Sequence, residues 1–312
     1  MRKLDANGWA IAATLIGMLI AILIGTSLAA TARADERSPA PPSALPSPSA
    51  QTKWTPKFYG LCMEMFDAKR RPLAEQAQML RQLGFDGVGY PLWLDASLDG
   101  NLRTLDEAGL KVYMLYATVH LNPDVPPYDP RLPAAIRKLK GRPTTICVIL
   151  DGFPPADPRG ESPAIKILRD LGDVAAESGL RISIYPHTGN WVESLAFALQ
   201  VVAKVNHPSV GTNFNLCHWL MVDADKDYRP LLREHADKIF AVTINGAKLG
   251  ATTWTHGLIQ PLDQGDFDNA QLLATLSEAG YRGPVGLMCY GIPGDAREHL
   301  ERSMNAWKKL RP

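Results

Sequence analysis

Two histidines stand at matching places in one stretch of the chain, Leu180 to Leu220. In its first half, LRISIYPHTGNW, Ile182, Ile184 and Pro186 alternate with Ser183, Tyr185 and His187. A period of two gives a strand one apolar and one polar-tipped face, with His187 at its C-terminal end. The second half, VGTNFNLCHWL, repeats the arrangement, with Asn213 and Asn215 on one parity, Phe214 and Leu216 on the other, and His218 at the exit. Imidazoles on neighbouring strand ends can work as acid and base, or ligate one metal ion. The plainer alternative is a pair of hydrogen-bonding histidines that only shape a pocket.

Other strand ends carry groups of similar interest. Glu64 closes the first predicted strand and is a candidate base, unless an Arg or Lys pins its carboxylate. Asp151 precedes Gly152 and Pro154, so it reads first as a turn residue capping its own loop. Buried amides must be hydrogen-bonded, and a ring of Asn213, Asn215 and Asn245 in a mouth would suit sugar hydroxyls. Tyr90, Tyr116, His120, Tyr185 and Tyr290 also fall at strand ends, and Lys248 reads as a solvated charge. Trp93, Trp191, Trp219 and Trp254 sit near predicted loops, where they could stack on sugar faces or simply pack.

These groups need a scaffold that gathers strand ends. Between the two histidine segments, Glu193 to Val205 has Leu195, Ala198, Leu199 and Val202 at helical spacing, making a β-α-β unit with parallel strands. From Lys57 onward the alternation continues through KFYGLCMEMF, FDGVGYPLW, LKVYMLYATVHL, TTICVILDGF, IFAVTINGAKLG and VGLMCYGI. Helices are predicted from behind Pro72 to Gly84, over Leu98–Ala108, Leu132–Leu139, Pro163–Ser178, Asp225–Lys238, Asn269–Ala279 and Asp295–Leu310. Eight such units in about 255 residues predict an α/β fold, a closed (β/α)8 TIM barrel. An open doubly wound sheet is the alternative, but GLCMEMFDA stands where a Gly-rich phosphate turn would be. Barrel sites form at the C-terminal strand ends, where these residues lie.

The 312 residues are 46% hydrophobic, enough for a large core. Arg2 and Lys3 precede an apolar run from Trp9 to Ala30 and the small-x-small site Ala32-Arg33-Ala34. Residues 1–34 therefore read as a signal peptide or an uncleaved N-terminal membrane anchor. Residues 35–53, rich in Pro, Ser and Ala, read as a linker, leaving 54–312 as an exported, periplasmic or otherwise extracytoplasmic domain. Membrane contact is expected only through the first segment, and only if it stays attached. Removing it takes away Arg2, Lys3, Arg33 and Asp5, moving the formal charge from +1 to −1. That balance gives no sign of a nucleic-acid partner. Cys62, Cys147, Cys217 and Cys289 fall inside predicted strands without CxxC pairing and read as core residues.

PHTG after the fifth strand, NLCH after the sixth and VTING in the seventh resemble the xylose isomerase-like TIM barrels, including the sugar phosphate isomerase/epimerase group. The resemblance spans residues 57–312. It implies a small carbohydrate partner, isomerase or epimerase chemistry, and a divalent metal held by Glu, Asp, His and Glu from strands five to eight. The matching positions here are Tyr185, Asn215, Thr243 and Met288, so no metal ligand is assigned and the cofactor stays open. His187 and His218 match family histidines, the latter one that touches substrate. Three functions follow: an isomerase or epimerase, a non-catalytic carbohydrate-binding barrel, or a metal-independent lyase, dehydratase or hydrolase using His187 and Glu64.

Overall fold

The computed structural model describes residues 54–310. Eight parallel strands follow one another around a closed barrel: β1 (Phe58–Leu61), β2 (Gly87–Pro91), β3 (Lys111–His120), β4 (Thr145–Asp151), β5 (Arg181–Ile184), β6 (Val210–Asn215), β7 (Ile239–Ile244) and β8 (Val285–Met288). β8 pairs back onto β1, with Tyr59 opposite Gly286. Helices α1 (Leu73–Leu83), α2 (Leu98–Glu107), α3 (Leu132–Lys138), α4 (Glu161–Glu177) and α5 (Leu195–Val205) follow the first five strands. After β6 come α6 (Leu216–Val222) and α7 (Arg229–Glu234), then α8 (Asn269–Glu278) after β7 and α9 (Ala296–Leu310) after β8. No described helix is long and apolar enough to cross a membrane. The predicted signal or anchor segment and the linker up to residue 53 lie outside the described residues.

Glycine makes the barrel interior possible. The Tyr59 ring is fully buried, and a Cβ on Gly286 would come within 2.6 Å of it. On the other flank a Cβ on Gly89 would meet Leu61 at 2.8 Å and the Tyr59 ring at 3.2 Å. One large side chain thus fills space that β2 and β8 leave by carrying none.

Several predicted elements end elsewhere: the first strand stops at Leu61, short of Glu64, the fifth at Ile184, short of His187, and the eighth at Met288. The sixth strand stops at Asn215, and the chain turns at once into α6, so His218 lies on a helix, not at a strand exit. A helical turn brings Trp219 back onto Phe214, with ring centroids 5.8 Å apart. Extended chain would carry them roughly 16 Å apart at about 3.3 Å per residue. The helix predicted over Asp225–Lys238 shrinks to α7, because Asp227 accepts the Arg229 N–H at 2.9 Å and Pro230 fits the first turn. The seventh strand ends at Ile244 because the next backbone groups pair with a loop, Gly246 N–H donating to Gln260 O at 3.0 Å.

The cysteine placement is corrected in the same way. Cys147 lies in β4, but Cys217 is in α6, Cys289 follows β8, and Cys62 follows β1 in a turn with φ of 57°. All four are buried free thiols.

Candidate functional site

The site begins where β5 ends. Tyr185 N–H donates to Val148 O at 2.9 Å, His187 N–H to Val192 O at 2.9 Å, and Trp191 N–H to Leu150 O at 3.0 Å, so the PHTGNW segment is fastened by its backbone. His218 reaches this segment from the first turn of α6. Thr188 N–H lies 3.1 Å from His218 Nδ1, and Thr188 Oγ1 lies 2.9 Å from the same atom. A backbone N–H can only donate, so Nδ1 is an acceptor and the neutral ring carries its proton on Nε2. The two imidazoles lie 4.2 Å apart between centroids, and Tyr185 stands edge-on to both.

Burial, with His187 adding to it, pushes the His218 pKa down to about 3. Burial also lowers that of His187, whose Nδ1 is buried without a hydrogen-bond partner. Both rings are neutral at neutral pH, because a low-dielectric surround disfavours the charged form.

A cavity of about 360 Å³ opens beside them at the C-terminal mouth of the barrel. His187, Thr188, His218 and Tyr185 form one wall. Cys62, Tyr116, Cys217 and Met288 contribute to the lining, with the Cys62 Sγ 3.5 Å from the Tyr116 hydroxyl. Met65, Trp254 and Tyr290 complete the rim, and the Trp254 ring lies 5.1 Å from His218.

Glu64 lies in the β1–α1 connection between two lining residues, Cys62 and Met65. Its Oε2 is buried with no partner, and burial raises its pKa to about 7. Among the described residues no Arg or Lys pairs with it, so it can take or give a proton near neutrality, although Glu64 itself is not one of the cavity-lining residues.

The remaining sequence candidates disperse. Asp151 sits 3.8 Å from His120 Nδ1, both about half exposed, and neither lines the cavity. The Tyr90 hydroxyl turns to α1, donating to Gln76 Oε1 at 2.6 Å. The expected ring of asparagines does not form. Asn213 is fully buried away from the cavity, with neither amide atom partnered. Asn245 donates to Gly246 O and Leu258 O, fastening the loop after β7. Asn215 donates to the Tyr185 hydroxyl and accepts from the Cys217 thiol at 3.0 Å. Of the four tryptophans singled out, Trp254 lines the cavity, Trp191 and Trp219 are buried, and Trp93 packs on Tyr90. Sequence reasoning gave no role to Thr188, whose signal was its position directly after His187, nor to Met65 and Ile259.

Residues 77–310 match the model of the xylose isomerase-like TIM barrel family. The chain belongs to this family. It is 31% identical over 125 residues to a 3-dehydroshikimate dehydratase of Pseudomonas putida, covering 38% of this chain and 19% of the relative. A second 3-dehydroshikimate dehydratase, of Pseudomonas aeruginosa, is 33% identical over 138 residues, covering 42% and 21%. The chain thus spans about a fifth of the length of these curated relatives. Among solved structures, the 3-keto-D-glucoside 4-epimerase of E. coli superposes with a TM-score of 0.64 at 17% identity, over 82% of this chain and 99% of that one. That likeness is one of fold.

The family's divalent metal does not fit the side chains at the four matching positions. Tyr185 and Asn215 are hydrogen-bonded to each other, Thr243 offers only a buried hydroxyl, and Met288 a thioether. Hard divalent cations favour carboxylate oxygens and borderline ones imidazole, and none of the four side chains supplies either. Among the described residues no group of three or more His, Cys, Asp or Glu is placed to hold a metal ion.

Proposed function

We propose that this barrel acts on a carbohydrate or polyol at its C-terminal mouth, moving a proton next to a carbonyl as an isomerase or epimerase does. The observation that carries this reading is the fixed tautomer of His218. Held by the Thr188 N–H, the ring carries its N–H on Nε2, a neutral donor suited to polarising a carbonyl. Glu64, with its pKa near 7, is the base that would take the α-proton, and His187 supplies a second neutral imidazole beside the first. Loss of a β-hydroxyl from the same enolate would give a dehydratase, the activity named for the Pseudomonas relatives. The N-terminal 34 residues support export, with the barrel held outside the cytoplasmic membrane by residues 35–53 or released.

The test is deuterium exchange from solvent into a panel of aldoses, ketoses and inososes, with and without added Mn, Mg, Co or Zn. Exchange in the absence of added metal, lost in Glu64→Gln, is the expected result. No exchange under any condition overturns the catalytic reading. A second reading, a non-catalytic carbohydrate-binding barrel, is favoured by the mutual hydrogen bond of Tyr185 and Asn215 at two family ligand positions. It predicts calorimetric binding of a sugar without exchange.

A further inference from the structure

The cavity's lining is uncharged apart from what its histidines could carry. Among the described residues that form it there is no lysine, arginine, aspartate or glutamate. The nearest carboxyl groups along the chain are Glu64, next to the lining Met65, and Asp151, two residues past the lining Ile149, and neither lines the cavity. A phosphate or carboxylate on the substrate would lose hydration here with no cation among the lining residues to replace it.

The rim has the opposite character. Five large hydrophobic side chains are exposed among the described residues, and three of them, Met65 (51%), Phe66 (43%) and Tyr290 (42%), meet at this mouth. Phe66 packs edge-on against Tyr290 at 5.0 Å between centroids, while Met65 and Tyr290 belong to the cavity lining itself. Apolar surface gathered at a cavity entrance, where three of the five exposed large hydrophobic side chains of the described residues lie, is surface that a ligand would cover.

We infer that the site takes a neutral glycoside, its sugar ring in the cavity and an aromatic or apolar aglycone against Met65, Phe66 and Tyr290. A free sugar would leave the rim uncovered, and a sugar phosphate would meet no cation. The inference rests on the carbohydrate reading above and narrows its substrate class: since a glycoside's anomeric carbon is locked as an acetal, the carbonyl beside which the proton moves is an oxo group on another ring carbon.

Calorimetry on the full chain tests it with matched ligands built on glucose, galactose and xylose: the free sugar, its 4-nitrophenyl glycoside and its 1-phosphate. For at least one sugar, the aryl glycoside should bind about five- to tenfold more tightly than the free sugar, the phosphate more weakly than either. Phe66→Ala should remove most of the aryl gain, whereas Val125→Ala, at an exposed apolar residue that does not line the cavity, should leave it intact. Equal affinity for sugar and aryl glycoside, or tightest binding of the phosphate, overturns the inference while leaving the carbohydrate reading in place. No binding by any member of the panel overturns both.

Discussion

At the scale of the residue, the candidate chemistry rests on two neutral imidazoles and one carboxyl group whose proton is easily moved. If His218 polarises a carbonyl through Nε2, His218→Ala should lower the rate of solvent exchange by roughly a hundredfold or more. Thr188→Pro would remove the N–H that fixes the tautomer, whereas Thr188→Ala keeps it and should cost less. Glu64 makes a prediction about pH. Its pKa is raised by burial from an ordinary 4.5 to about 7, so the folded chain holds this proton more tightly than the unfolded chain. The associated stability is complete below about pH 4.5, is lost as pH rises towards 7, and is absent above it. Within that window the loss is at most about 1.4 kcal/mol per pH unit. Urea melts across pH 4 to 8 should show this slope in the wild type and its reduction in Glu64→Gln. Exchange activity should rise through pH 7 as the base ionises, and His218, titrating near 3, should not contribute to that limb.

At the scale of the element, the mouth is held in shape by joints between loops and helices. Arg71, two residues before α1, donates to both oxygens of Asp67 and reaches Asp295 at 2.6 Å, just before α9. Asp67 also accepts the Ala296 N–H at 3.2 Å, so the loop after β1 and the start of α9 share one network. The Arg71 and Asp67 side chains are only 10% and 2% exposed. Removing one partner of a pair this buried leaves the other uncompensated, so Arg71→Ala should destabilise the domain by about 3 kcal/mol or more, read from urea melts. Inside the barrel, Gly286→Ala would drive a methyl group into the Tyr59 ring. The expected cost is about 1–3 kcal/mol, seen as a lower Tm.

At the scale of the whole molecule, the proposed export of the barrel is tested through its N-terminal segment. Fusing residues 1–53 to a reporter active only outside the cytoplasm should give activity, and the mass of the mature protein should then show whether the cut after Ala34 occurs. The barrel itself was legible in the sequence, because periods of two and 3.6, punctuated by Gly and Pro, recur eight times. So were the segments carrying His187 and Glu64, because barrel strands deliver their C-terminal residues to one end. The site was less legible, because the unit after β6 is set by contact rather than period. The run LCHWL offers only Asn215 ahead of it as a start signal, and its helical turn is the one that packs Trp219 on Phe214 and Tyr228. That helix brings His218 onto Thr188. Likewise Tyr90, Asn213 and Asn245 each sit where a polar side chain could serve a mouth, but their hydrogen bonding and burial depend on neighbours far along the chain. The sequence by itself determined the barrel, its order and the strand ends that matter, since these follow from local periodicity. The tertiary structure decided which strand-end groups share a cavity and how the titrations of His187, His218 and Glu64 are shifted, since both depend on burial and on partners that only the closed barrel brings together.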